Sequence, residues 1–133
     1  MRTTRDVTAA DYRTYAGKAA LNFTLAQVKT VKAGLAIVSK NLAPLDVSGL
    51  PAEVNLVVTN GNDDGAGPYT RGTSIIVRAE DPNRDPGALA SDLTHEMFHV
   101  LSRNDPKLHD ALYKLVRFQS GEPVSLKLTP DVA

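Results

Sequence analysis

Residues 95–99 read His-Glu-Met-Phe-His. On a helix, positions four apart lie one above the other, so His95 and His99 project from the same face. That spacing lets both imidazoles reach one tetrahedral metal ion at about 2.0–2.1 Å. Glu96 follows the first histidine directly. It cannot easily join the pair as a ligand, but its carboxylate can reach a water held by the metal. Zinc lowers the pKa of such a water to about 7, where a carboxylate can accept its proton. Met97, Phe98, Val100 and Leu101 are the uncharged neighbours that a buried active-site helix requires. An ordinary helix with two surface histidines and a glutamate is the bland alternative, and it leaves this context unexplained.

The segment resembles the signature of the zincin metallopeptidases, His-Glu-x-x-His on an active-site helix. Residues 95–99 match it completely, and the order of elements ahead of it is similar. The wider run from Asp92 to Arg103, with Leu112-Tyr113 following, is similar to a group of bacterial zincin-like proteins. The specific resemblance covers only a minor part of the chain. It implies Zn2+ as cofactor, His95 and His99 as ligands, Glu96 as general base, and hydrolysis of peptide bonds in a peptide or protein substrate. The alternative is a non-catalytic zinc-binding domain, or the inactive or regulatory remnant of a larger metallopeptidase. At 133 residues the chain is small for a zincin, with little sequence after the motif from which to build a substrate pocket.

Catalytic zinc usually takes three protein ligands and a water, and three residues compete for the third place. In the gluzincin branch a glutamate on a later element supplies it. The one glutamate after the motif is Glu122, in Ser120-Gly-Glu-Pro123, and it is the first choice here. In the metzincin branch the motif continues to a glycine and then a histidine or aspartate. Ser102 stands where that glycine should allow a sharp turn, and Asp105 falls on the last position, where it also suits the cap of a following helix. His109 lies level with His99 if the two helices form an antiparallel hairpin, but Leu108, Leu112 and Leu115 claim the inward side.

Other residues are candidates for support. Asp92, one turn before the motif, would orient a ligand imidazole or stand solvated. Arg103 would stabilise developing negative charge or interact with the helix C-terminus. Tyr69 and Arg71, ahead of a predicted strand, would assist an oxyanion if that strand edge held the substrate main chain. The loop Asn60-Gly-Asn-Asp-Asp-Gly65 has some features of a calcium loop. Its twelfth position is Arg71 rather than a bidentate glutamate, so a turn is the better account.

These groups need a scaffold, and the pattern predicts an α+β domain spanning residues 1–133. Leu21, Leu25, Val28, Val31 or Lys32, Leu35 and Val38 recur at helical steps, predicting one long helix over about residues 8–40. Residues 53–59 and 73–78 are rich in β-branched side chains and read as strands, expected to pair antiparallel in a small, mostly antiparallel sheet. Val124 to Leu128 would add a short third strand. Asp85-Pro86 caps and opens the active-site helix, with Leu89, Leu93, Met97 and Val100/Leu101 as its apolar stripe. Asp105-Pro106 repeats the signal and starts a final helix through about Phe118.

Apolar residues make up 42% and charged residues 23% of the chain, an ordinary globular composition. Fifteen basic and fifteen acidic side chains cancel, and aromatics are only 5%. Neither the electrostatic footprint nor the stacking platform of a nucleic-acid-binding protein is present. The chain has no cysteine, hence no disulfide and no thiolate metal site. No apolar run approaches the roughly 20 residues of a membrane span. The polar start lacks a signal-peptide core, which fits a cytoplasmic protein or a secreted one whose export signal has been removed.

Overall fold

The computed structural model describes residues 8–63, 67–115 and 117. Their order is α1 (Ala9–Ala19), β1 (Ala20–Leu21), α2 (Leu25–Leu42), β2 (Asn55–Thr59), β3 (Tyr69–Arg71), β4 (Ser74–Arg78), a 3-10 turn (Asp81–Asn83), α3 (Pro86–Asn104) and α4 (Pro106–Leu115). The fold is α+β, with four helices and a small mixed sheet among the described residues. The expected strand at 124–128 and the end of the final helix at Phe118 lie outside the described residues.

The single long N-terminal helix expected over 8–40 is two helices. Ala20 and Leu21 leave the helical path to pair antiparallel with Thr59 and Val58 of β2. The chain then restarts at Thr24, whose hydroxyl accepts the Gln27 amide while the Gln27 side chain accepts the Thr24 amide at 2.9 Å. This reciprocal cap satisfies two amides that a new helix would otherwise leave orphaned. α1 opens in the same way with Thr8 and Asp11. The Thr8 hydrogen bonds hold the Asp11 carboxyl below its ordinary value.

The buried face of α2 also differs from the expected stripe. Leu25 is 90% exposed, and Leu21 and Leu35 are exposed as well. Val38 turns inward as expected, and Gln27 and Gly34 join it. Gln27 is drawn in because its amide nitrogen donates to the Ala79 carbonyl at 2.8 Å. Gly34 lies against α3, where a Cβ would be in ordinary contact with the Pro86 carbonyl oxygen at 3.4 Å and Leu89 at 3.6 Å.

The two predicted strands pair parallel, not antiparallel. The sheet order is β1-β2-β4-β3, with β2 and β4 in register from Asn55↔Ser74 to Thr59↔Arg78. A parallel pair needs a crossover, and the stretch from Asn60 to Thr73 provides it. That stretch carries β3 to the far side of β4, where β3 and β4 form an antiparallel hairpin around Gly72 and Thr73. Gly72 has φ +56°, in the left-handed region that such a tight turn requires. The loop is anchored by Asp63, which is buried and accepts hydrogen bonds from Thr59 Oγ1 at 2.9 Å and from the Tyr69 hydroxyl. Asn60 Oδ1 accepts the Asn62 amide at 3.0 Å, a local turn at the start of the loop, while Asp64 and Gly65 of the run read from the sequence lie outside the described residues.

α2 and α3 cover one face of the sheet. Val38 of α2, Val58 of β2, Ile75 and Val77 of β4, and Leu89, Leu93 and Val100 of α3 form the buried cluster. α3 begins as expected: Asp85 accepts the Gly87 and Ala88 amides, and Pro86 occupies the first turn. Its buried face at Leu89, Leu93, Glu96 and Val100 seats the helix against the sheet and sets the direction of every other side chain on it.

Candidate metal centre

His95 and His99 stand on α3 as the four-residue spacing requires. Their Nε2 atoms are 3.0 Å apart, and the rings meet nearly edge to face, at 82° with centroids 4.7 Å apart. His95 is exposed and His99 half-buried. Glu96 is only 6% exposed, turned toward the flank of α3 that packs on the sheet. One ligating atom from each of the three lies within 4.8 Å of the others. Among the described residues this is the single group of three that could hold a metal ion. The donor chemistry fits one: two imidazoles turn the same nitrogen inward, and a carboxylate lies next to them.

Of the three residues that compete for a third ligand, two are engaged elsewhere. Asp105 caps α4, its Oδ1 accepting the Lys107 and Leu108 amides at 3.0 and 3.1 Å. α3 continues to Asn104, and Ser102 is buried in its last turn with its hydroxyl donating to the His99 carbonyl at 3.2 Å. The sharp turn of the metzincin pattern is therefore absent at this point. His109 stacks on Tyr113 with ring centroids 4.2 Å apart, and its Nδ1 lies 3.2 Å from Asp110. Glu122, the first choice from the sequence, lies outside the described residues.

The supporting residues divide in the same way. Asp92 forms an ion pair with Arg84 at 2.6 Å, tying the second turn of α3 to the segment just before the helix. Arg103 lines a shallow hollow with Gly72 and Thr73, which places the β3–β4 turn beside the end of α3. Tyr69 and Arg71 stand on the face of the sheet away from α3. Between them Thr70 pairs with Ile75, a member of the cluster under α3, so Thr70 alone of the three faces the helix. Arg71 instead lies over the Tyr69 ring, 5.2 Å from its centroid. The Thr70 hydroxyl is buried without a hydrogen-bond partner among the described residues.

A further feature went unread in the sequence. Beside the histidines, on the opposite flank from Glu96, a groove of about 290 Å³ runs between the end of α2, the connector after it, α3 and α4. Leu42, Leu45, Val47 and Leu50 line it from the connector side. Their three- and two-residue spacing through a proline-bearing connector was the available signal. Comparison of the chain with protein-family models, curated proteins and solved structures finds no match.

Proposed function

We propose that this chain is a zinc-dependent peptidase with a zincin-like site. The observation that carries the reading is the convergence of the His95 and His99 Nε2 atoms, 3.0 Å apart, beside the buried carboxylate of Glu96. Two ligands of one tetrahedral zinc, each at about 2.0–2.1 Å, stand about 3.4 Å apart. A small rotation of either ring opens the observed separation to that value. Two imidazoles with a carboxylate nearby suit zinc among the common divalent ions. Glu122 is the proposed third ligand, since Asp105 and His109 are committed to capping and stacking.

Zinc in this place would polarise the scissile carbonyl and make the attacking water more acidic. The chain's own contribution to the proton transfers is Glu96. Its carboxylate takes a proton from the attacking water and returns it to the nitrogen of the leaving amine. The burial of Glu96 against the sheet holds that carboxylate beside the histidines rather than out in solvent.

A second reading follows from the same distances. The Glu96 carboxylate lies close enough to both imidazoles to be a ligand itself, and it is the only third group at hand among the described residues. The domain would then hold zinc without catalysing hydrolysis. Zinc content and peptide cleavage in wild type, His95→Ala/His99→Ala, Glu96→Gln and Glu122→Gln separate the two. The peptidase reading expects one zinc per wild-type chain, lost in the double variant and weakened in Glu122→Gln. Glu96→Gln should keep its zinc and lose turnover by about 10²–10⁴-fold. Loss of zinc from Glu96→Gln would make that residue a ligand and favour the non-catalytic reading. A wild-type chain that takes up no zinc would end both.

A further inference from the structure

α3 has one arginine and no lysine: Arg103, in its last turn. Positions four apart lie one above the other on a helix, so Arg103 continues the stripe of His95 and His99 by one further turn. That turn is a rise of about 5.4 Å, less than two residues of extended peptide. A peptide with its scissile bond at the histidines therefore comes within reach of Arg103 at about two residues from that bond.

The guanidinium has no other engagement. Among the described residues it makes no ion pair and no hydrogen bond. Arg78 and Arg84, by contrast, are paired with Asp81 and Asp92. Asp105, two positions on, has its Oδ1 taken by the Lys107 and Leu108 amides. Asn104 donates to the Gly49 carbonyl at 2.6 Å. Arg103 opens instead on a hollow of about 160 Å³, where the β3–β4 turn meets the end of α3. Val100, 2% exposed, gives the hollow an apolar floor, and Gly72 and Thr73 line it from the turn. A Cβ on Gly72 would meet nothing within 4 Å, so that side is open. No acidic residue is among the described residues of its lining. The space is small for a whole ligand, but a carboxylate fits it, and the planar guanidinium can meet both carboxylate oxygens at once.

We infer that Arg103 holds a carboxylate of the bound peptide, so that cleavage is favoured close to a free C-terminus or to an aspartate or glutamate side chain. The inference rests on the peptidase reading above, and it gives Arg103 a part in binding the peptide rather than in stabilising charge that develops during hydrolysis. The guanidinium is exposed, so water and salt screen it, and the expected preference over the matching amide is about three- to fivefold at low ionic strength.

The test uses the full zinc-loaded chain and labelled peptides of one frame, made as twins. One pair ends in a free acid or an amide two residues past the scissile bond. The other, amidated throughout, carries Glu or Gln at that place. Affinity is read by fluorescence polarisation on Glu96→Gln, with and without Arg103→Gln, and kcat/KM on wild type, Arg103→Gln and Arg103→Lys. The acid twin of at least one pair is expected to bind and be cleaved about three- to fivefold better, less so at high salt. The pair that shows this names the source of the carboxylate. Arg103→Gln should bring the ratio to one, and Arg103→Lys, with the charge but not the fork, should keep part of it. Circular dichroism and zinc content accompany each variant; if Arg103→Gln does not fold, Arg103→Lys and the salt dependence decide. Equal handling of both pairs by wild type overturns the carboxylate site while the peptidase reading stands. So does an Arg103→Gln chain that slows both twins alike, or one that melts lower with the ratio kept, which would leave Arg103 a partner of the helix end. No cleavage of any peptide by zinc-loaded wild type overturns the peptidase reading, and the affinities still decide whether Arg103 holds a carboxylate.

Discussion

Asp105 and His109 show how a side chain's chemistry is taken up by its immediate surroundings. Both are good metal ligands by type, and both follow the motif at usable distances. Asp105 is instead occupied by two amides of the turn it starts, the ordinary use of an aspartate before proline. His109 is held between Tyr113 and Asp110. Asp105→Ala is expected to cost about 1 kcal/mol in a urea or thermal melt, through loss of the cap. Zinc content should not change in that variant or in His109→Ala. A clear fall in bound zinc in either would move the third ligand to that residue. His95, Glu96 and His99 behave differently because their relation is set within one helical turn, which no distant contact has to create.

At the scale of elements, polar side chains decided what apolar spacing did not. The run from Leu21 to Val38 has helical periodicity, yet it contains a strand, a break and a new helix. Thr24 and Gln27 are the reason, and their three-residue spacing is a readable start signal in the sequence itself. Gln27 then has a second bond, to Ala79 just after β4, that rotates α2 on its axis. Gln27→Ala is expected to destabilise the protein by about 1 kcal/mol, because it removes the acceptor for the Thr24 amide and one of two donors to the Ala79 carbonyl, Asn83 keeping the other at 3.1 Å. Leu25→Ser, at a position assigned to the core by periodicity alone, should lie within about 0.5 kcal/mol of wild type. Thermal melts of the two variants side by side check both. The pairing of β2 with β4 has the same lesson: residues 60–73 contain a third short strand, and that strand occupies the antiparallel place beside β4.

In the whole molecule the core and the two histidines lie on different flanks of α3, with Glu96 on the side of the core. Val38, Val58, Ile75, Val77, Leu89, Leu93 and Val100 pack together without either histidine. The fold is therefore expected to persist when metal is removed. Far-UV circular dichroism should be unchanged by a chelator, while the melting temperature falls. Restoring zinc to about 100 times its dissociation constant should stabilise the chain by about 2.7 kcal/mol. Collapse of the dichroism on chelation would instead make the metal part of the fold, as in domains that are unfolded without it. No described helix is long and apolar enough to cross a membrane.

What the sequence determined alone was local. The spacing of His95 and His99, the Asp85-Pro86 start of α3 and the Asp105-Pro106 start of α4 all depend on residues within a turn or two of one another, and backbone geometry converts their order directly into position. The split of the first helix was equally local, legible in Thr24 and Gln27 but hidden behind the apolar pattern. The parallel pairing of β2 with β4, the rotation of α2 and the groove beside Phe98 were not local. Each joins segments tens of residues apart, such as Gln27 to Ala79 and Leu42 to Leu112. Which of several compatible surfaces meet is chosen by packing and buried hydrogen bonds together, and that choice exists only once the chain has folded.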